Sequence, residues 1–256
     1  MELKIISTRE MSDFVERWHY SRSMPRLTKV CVGEFRGSAL VSAISFGWGS
    51  RPLHTIRALF PSLTTADYFE IGRMCLDDAE PRNSESAFIA QAGAWLRANH
   101  PQVKLLFTWA DGMWGKPGYV YQASNFLYGG FIWTDAYLTA DGKKLHPLQL
   151  QAERRKRGMT VKARTQRPSF EEQQAFGWKH YFGKQFRYIK FLCGHKERKR
   201  LLAESTIQWQ AAYPKGKDCQ WRVQAGQGSR VNCEAPSFES AVRFRSPAPI
   251  LVEESS

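Results

Sequence analysis

The nearly continuous apolar run from Val103 to Trp109 constrains the fold of this chain most strongly. Such a run is typical of a central strand that is covered on both faces. Residues 84–99 precede it and place Phe88 and Leu96 on one apolar stripe at helical spacing. A helix followed by a doubly covered strand predicts a sheet with helices packed on either side.

The segments around this pair alternate between strand and helix patterns. Strands are predicted at residues 3–6, 29–36, 39–46, 68–76 and 131–138. Further helices are predicted at residues 9–18 and 119–126. This order predicts an α/β fold with a mixed central sheet flanked by helices.

Positive charge is concentrated in one part of the chain. The formal net charge is +13, and residues 153–200 hold fifteen Lys or Arg but four Glu. Neutralising phosphates releases counterions, so this region predicts double-stranded DNA as a partner. The alternative is a subdomain with an aromatic core and a solvated charged surface. The candidate nucleic-acid contacts are Arg154, Arg155, Lys156, Arg157, Arg198, Lys199 and Arg200.

These composition changes predict three regions. Residues 1–145 form the catalytic domain, and residues 146–213 form a basic extension that binds nucleic acid. Residues 214–256 are rich in Gly, Pro, Ser and Gln, which predicts an irregular or partly disordered tail.

The sequence also bears on the compartment. No apolar run is long enough to span a bilayer, and the N-terminus lacks a signal-peptide core. The five cysteines form no CxxC pair, so neither a disulfide framework nor a tetrahedral zinc site is indicated. We therefore expect a cytoplasmic protein with neither a membrane partner nor a metal.

Two polar groups stand out in the first half of the chain. His19 and Tyr20 follow the first helix, where both side chains are suited to proton transfer; the alternative is a capping His beside a packed Tyr. Arg73 lies inside an apolar strand, where its charge requires a carboxylate or a ligand phosphate. Strict alternation places Glu70 and Arg73 on opposite faces of that strand.

Two more candidates follow the central strand. Asp111 comes at its carboxyl end, where ligands bind in α/β sheets; the alternative is an Asx turn that closes the strand. Tyr121 lies shortly after a loop that has a glycine at each end. It is either a core residue or a phenolic acid.

The candidates occur in a characteristic order along residues 14–158. His-Tyr-Ser follows the first helix, Glu-x-x-Arg lies in strand 68–76, and Ala-Asp ends the apolar strand. From Tyr121 the chain reads Tyr-Gln-Ala-x-Asn-Phe-x-Tyr-x-Gly. This order resembles the Mom family of phage DNA-modification proteins, and the block from Trp109 to Gly130 is the most specific part.

The resemblance implies an acetyltransferase-like (GNAT) fold and conversion of adenine in DNA to an N6-carbamoylmethyl derivative that resists restriction. Carried over to this chain, the reaction centre comprises His19, Tyr20, Asp111 and Tyr121. The donor pocket comprises Arg73, Arg82, Asn83 and Ser84. The donor is acetyl-CoA or another activated acyl or glycyl compound. Two rivals stay open: an N-acetyltransferase of a small molecule or protein, and a DNA-binding protein without activity.

Overall fold

The computed structural model describes residues 2–19, 21–49, 52–142, 144–145, 147–159 and 167–236. The strands are β1 (Glu2–Ile5), β2 (Thr28–Arg36), β3 (Ala39–Gly47), β4 (Tyr68–Leu76), β5 (Leu105–Asp111), β6 (Leu127–Leu138), β7 (Lys144–Leu145), β8 (Lys179–Phe191), β9 (Trp221–Gly226) and β10 (Ser229–Cys233). The helices are α1 (Thr8–Trp18), α2 (Pro52–Leu59), α3 (Ser84–Asn99), α4 (Tyr119–Ala123), α5 (Pro147–Lys156), α6 (Phe170–Phe176) and α7 (His195–Glu204).

The strands form one mixed sheet in the order β1-β2-β3-β4-β5-β8-β6-β7, with β9 paired to β8 and β10 to β9. The predicted α/β class with a central sheet flanked by helices is confirmed. The predicted bounds of β4 and α3 agree with the structure. Helix α2 was missed, because eight residues give too short a stretch for a clear helical period.

The boundary predicted after residue 145 is wrong. Strand β8 comes from the supposed basic extension, yet it lies between β5 and β6 and is antiparallel to both. It was missed because its Lys and Arg interrupt the apolar alternation that marks a strand. Residues 1–145 therefore lack an inner strand of their own sheet.

The expected irregular tail is also corrected in part. Residues 221–233 form the hairpin of β9 and β10, and β9 pairs with residues 181–183 of β8. Residues 237–256 lie outside the described part of the chain.

Apolar side chains cover both faces of the sheet. On one face, α3 packs over β2 to β5 and β8 through Phe88, Ile89, Ala92 and Leu96. On the other, α1 packs over β2 to β4, while α2 and α7 pack over β5 and β8. Because side chains alternate along a strand, Leu105 and Leu106 enter opposite layers. This double cover is what the apolar run in β5 predicted.

Arg154 belongs to the folded core and not to a DNA-binding surface. Its side chain is 3% exposed, and its Nε and Nη2 each donate a hydrogen bond of 2.8 Å to Glu172. The pair joins α5 to α6, whose first turn is closed by a capping box between Ser169 and Glu172. The prediction for Arg154 was wrong because a run of charges does not reveal which member is buried.

Within the described segments, no helix is both long and apolar enough to cross a membrane.

We predict that Arg154→Ala costs about 3 kcal/mol of unfolding free energy, because it leaves the Glu172 carboxylate without its partner. Arg155→Ala, at an exposed position next to it, changes the unfolding free energy by about 0.5 kcal/mol or less. Urea denaturation followed by circular dichroism measures both. Equal losses in the two variants would show that the ion pair does not stabilise the fold.

Candidate active site

Strands β4 and β5 separate at one edge of the sheet. Their parallel register joins residues 68–70 to residues 105–107, whereas β4 runs on to Leu76 and β5 to Asp111. The carboxyl halves of the two strands are therefore not paired with each other. Polar side chains gather around this opening.

A β-bulge at Gly72 sets which side chains face the opening. The register between β3 and β4 shifts between Ser45 and Phe46, so one residue of β4 is extra. The bulge reverses the alternation of side chains along β4. Glu70 and Arg73 consequently share the face covered by α1 and α2, on which Tyr68 and Cys75 also lie. The expectation that they lie on opposite faces was wrong for this reason.

Arg73 holds the segment after α1 against β4. Its Nε donates to the carbonyl of Ser23 at 2.8 Å, its Nη2 to Oγ of Ser21 at 3.0 Å, and its Nη1 to the carbonyl of Gly72 at 2.7 Å. A Cβ at position 72 would lie 2.8 Å from Pro25, so glycine is needed for this close approach. Arg73 thus fixes the segment that directly follows His19.

His19 is the C-cap residue of α1, where its backbone N–H donates to the carbonyl of Val15, and its imidazole is neutral. Its Nδ1 accepts a hydrogen bond of 3.0 Å from the backbone N–H of Ser21, which leaves the proton on Nε2. Burial and the charges of Arg73 and Lys116 lower the pKa of His19 to about 3. His19 is therefore suited to donate a hydrogen bond from Nε2 and poorly suited to accept a proton. Tyr20 lies outside the described residues.

Asp111 ends β5 and closes a turn, as the Asx-turn alternative predicted. Its carboxylate accepts hydrogen bonds from the backbone of Met113 at 3.2 Å and from the side chain of Trp114. Burial raises the pKa of Asp111, against the opposing charges of Lys144 and Lys116. The side chain remains half-buried, so the turn does not seal it from a ligand.

Tyr121 approaches the opening from the α3 side of the sheet. Its ring lies 5.7 Å from that of Tyr188, and its hydroxyl hydrogen-bonds to Thr108 of β5. Burial raises the pKa of Tyr121, and the charges of Arg73 and Glu70 both reach it. The phenol therefore keeps its proton at neutral pH and meets the groups on β4 across the gap between the strands.

Glu70 is the acidic residue that the sequence did not assign. It is half-buried, and burial raises the pKa of Glu70 to about 7, partly offset by the Arg73 guanidinium. A Cβ on Gly49 would lie 2.1 Å from the Glu70 carboxylate, so the loop after β3 is packed directly against it. The Glu-x-x-Arg motif contained the sequence signal for Glu70. The assumption of strict alternation placed Glu70 and Arg73 on opposite faces, so Glu70 was not assigned to the site.

The predicted donor-binding residues surround the start of α3. Arg82 and Asn83 are exposed, and Asn83 has a φ of +67° and makes no side-chain capping bond. Because α3 connects two parallel strands, it begins near the edge where Asp111 ends β5. Its first amides, with Ser84, can therefore hold an anion there.

Most of the predicted DNA contacts lie at the protein surface. At the end of α5, the Arg157 guanidinium stacks 3.9 Å from the Phe176 ring centroid. Arg200 is held by two carboxylates of its own helix, Glu197 and Glu204, each at 2.9 Å. The exposed candidates are Arg155, Lys156, Arg157, Arg198, Lys199 and Arg200.

Five half-buried candidate side chains thus lie at or beside the separation of β4 and β5: His19, Glu70, Arg73, Asp111 and Tyr121. The charges of Glu70 and Arg73 reach Tyr121, and the charge of Lys116 reaches both His19 and Asp111. They provide a hydrogen-bond donor, two carboxyl groups of raised pKa, a guanidinium and a phenol. Among the described residues, no three His, Cys, Asp or Glu side chains are grouped as a metal site requires. The arrangement is suited to removing a proton from one group and donating one to another.

Comparison with known proteins gives one family. A model of the Mom protein family matches residues 1–215. The methylcarbamoylase mom of Escherichia phage Mu is 33% identical over 189 residues, 73% of this chain and 73% of that protein. Among solved structures, a GNAT-family protein from Desulfovibrio desulfuricans has a TM-score of 0.39 at 10% identity, covering 75% of this chain and 99% of its own. The aminoglycoside 6'-N-acetyltransferase of Enterococcus faecium has a TM-score of 0.39 at 7% identity, covering 76% and 99%. Both TM-scores are low, so we transfer no residue role from these structures.

We predict that Glu70 makes stability depend on pH between about 4.5 and about 7. The pKa of Glu70 is higher in the folded chain than in the unfolded one, so the folded state binds the proton more tightly. The unfolding free energy therefore falls as pH rises through this window. Urea denaturation at several pH values should show a smaller fall for Glu70→Gln than for the parent. Identical pH profiles would contradict the raised pKa.

Proposed function

Because the chain belongs to the Mom protein family, we propose that it is a transferase that adds a carbamoylmethyl group to N6 of adenine in DNA. The observation that carries the proposal is that the Tyr121 phenol lies within electrostatic reach of Glu70 and Arg73 where β4 and β5 separate, with Asp111 at the carboxyl end of β5. The related phage Mu protein is named a methylcarbamoylase, which fits the transfer of such a group. The modified DNA is protected from restriction in the cytoplasm of the host.

The first chemical problem is the weak nucleophile. The exocyclic amine of adenine delocalises its lone pair into the ring, so a base must remove a proton as the new bond forms. Asp111 fits this role because burial raises its pKa and makes its carboxylate a stronger base. Glu70, whose pKa is raised to about 7, is a second carboxylate, and its charge reaches the Tyr121 phenol.

The second problem is the departing group of the donor. The bond from N6 to the transferred carbon forms while the bond from that carbon to the leaving group breaks. Tyr121 fits the role of the acid that protonates the leaving group, because its phenol stays protonated at neutral pH. His19 fits that of a hydrogen-bond donor through Nε2, directed at the oxygen of the transferred group.

The donor brings the activated carbon to this edge of the sheet. A carbamoylmethyl group contains an amide nitrogen that the acetyl group of acetyl-CoA lacks, so this product requires another activated donor, such as a glycyl compound. The phosphates of that donor would be held by Arg82, Ser84 and the first amides of α3. Arg73 adds positive charge on the same side, although its hydrogen bonds to the segment after α1 give it a positioning role as well.

Adenine must leave the base stack to reach this opening, which costs a few kcal/mol. Trp109 and Trp114 are half-buried beside Asp111 and are suited to hold the displaced base. Contacts between phosphates and the exposed cations of α5 and α7 would offset the cost. We assign these contacts to Arg155, Lys156, Arg157, Arg198 and Lys199.

The proposed reaction predicts a modified nucleoside in DNA from cells that express the protein. Asp111→Asn and Tyr121→Phe should each lower its yield about a hundredfold or more, because each removes a proton-transfer group. Mass analysis of digested nucleosides measures the yield. Tyr119→Phe is the matched control, since its side chain is 45% exposed on the same helix and lies outside the proposed centre. Unmodified adenine alongside folded parent protein would refute the enzyme and favour a DNA-binding protein without activity.

Duplex DNA affinity should fall steeply with salt, and Arg155→Gln and Lys199→Gln should each make the slope of log K against log salt shallower by about 0.9. Fluorescence anisotropy with a labelled duplex at several salt concentrations measures the slopes. Lys4→Gln, on the edge strand β1, should leave the slope unchanged. A salt-independent parent would favour an N-acetyltransferase of a small molecule or protein.

A further inference from the structure

Arg187 of β8 carries a charge that no described carboxylate neutralises. Its side chain is half-buried, and its Nε is fully buried without a hydrogen-bond partner among the described residues. Two contacts hold the rest of the guanidinium. Nη1 donates to the carbonyl of Gly129 at 3.2 Å, and the group lies 5.3 Å from the Trp109 ring centroid.

These contacts do not offset the burial of a full positive charge. A guanidinium removed from water requires an anion or several well-placed acceptors, and one carbonyl with one ring face supplies less than that. Burial lowers the pKa of Arg187, because the charged form of the guanidinium loses solvation. The part of the guanidinium that solvent reaches is therefore open to an anion from outside the described chain.

The position of Arg187 ties it to the reaction centre. Trp109 pairs directly with Arg187, and Asp111 pairs with Gln185, so all four side chains share one face of the sheet. Arg187 and Asp111 are then diagonal neighbours, with Cα atoms about 7–8 Å apart and Cβ atoms somewhat closer. An anion bound by Arg187 would therefore be separated from Asp111, the proposed base, by about the width of one small chemical group.

We infer that Arg187 and the Trp109 ring form a binding site for a phosphate group of one of the two reactants. This inference rests on the proposed function, since both reactants of that reaction carry phosphates. The donors of a guanidinium match phosphate oxygens, and the adjacent indole offers a surface for a planar ring attached to that phosphate. The phosphate belongs either to the displaced adenine nucleotide or to the activated donor.

Binding experiments on the full-length protein distinguish these sources. The probes are a short adenine-containing single strand and coenzyme A, each titrated by calorimetry into the parent, Arg187→Gln and Arg187→Lys. Arg187→Gln should weaken one probe about tenfold to a hundredfold, and Arg187→Lys should restore part of the loss. The weakened probe identifies the source of the phosphate.

Lys179→Gln is the matched control, because it removes one exposed positive charge from the same strand, about 26 Å along it from Arg187. If Arg187→Gln weakens neither probe more than Lys179→Gln does, the inference is overturned.

Thermal melting separates this site from a purely structural role. With no ligand, Arg187→Gln should melt no lower than the parent, because it removes a buried charge that lacks a counter-ion. A lower melting temperature with both affinities unchanged would make Arg187 structural and overturn the inference. Nucleoside analysis of the parent tests the proposed function separately. If no modified nucleoside forms, the affinities for the two probes still decide whether Arg187 binds phosphate.

Discussion

The site depends on the early end of the pairing between β4 and β5. Two parallel strands that paired along their whole length would leave no space between their carboxyl halves. Here the register stops after residue 70, and the bulge at Gly72 turns Arg73 to the same face as Glu70. Tyr121 can then reach the gap from one side of the sheet while the groups on β4 occupy the other. One interruption in a hydrogen-bond ladder thus brings the Tyr121 phenol within electrostatic reach of Glu70 and Arg73.

The electrostatics of the opening follow from that geometry. Each carboxyl group is partly desolvated, which raises its pKa, while neighbouring cations prevent the shift from becoming larger. His19 is pushed in the opposite direction, because burial and two nearby positive charges all disfavour its protonated form. The result is a set of groups in different protonation states at one pH, as acid–base chemistry on a weak nucleophile requires.

The sequence predicted the parts of this structure whose signals are local. The apolar stripe of α3 and the alternation in β4 place those elements at the right residues. The motif order singles out Asp111 and Tyr121, whose roles stay predictions. Three features escaped because their causes are not local. Glu70 depends on a one-residue bulge, Arg154 on a partner in another helix, and β8 on pairing with strands that precede it by many residues.

The insertion of β8 also governs the order in which the molecule assembles during synthesis. Strand β5 ends at residue 111, but its second neighbour begins only at residue 179, so the ribosome exposes an unfinished sheet edge for the intervening length of chain. Such an edge is open to wrong partners, and contacts between distant residues close slowly. The carboxylate at the end of β5 reaches its final surroundings only after this late strand docks, so no nascent fragment that lacks the strand holds Asp111 in those surroundings.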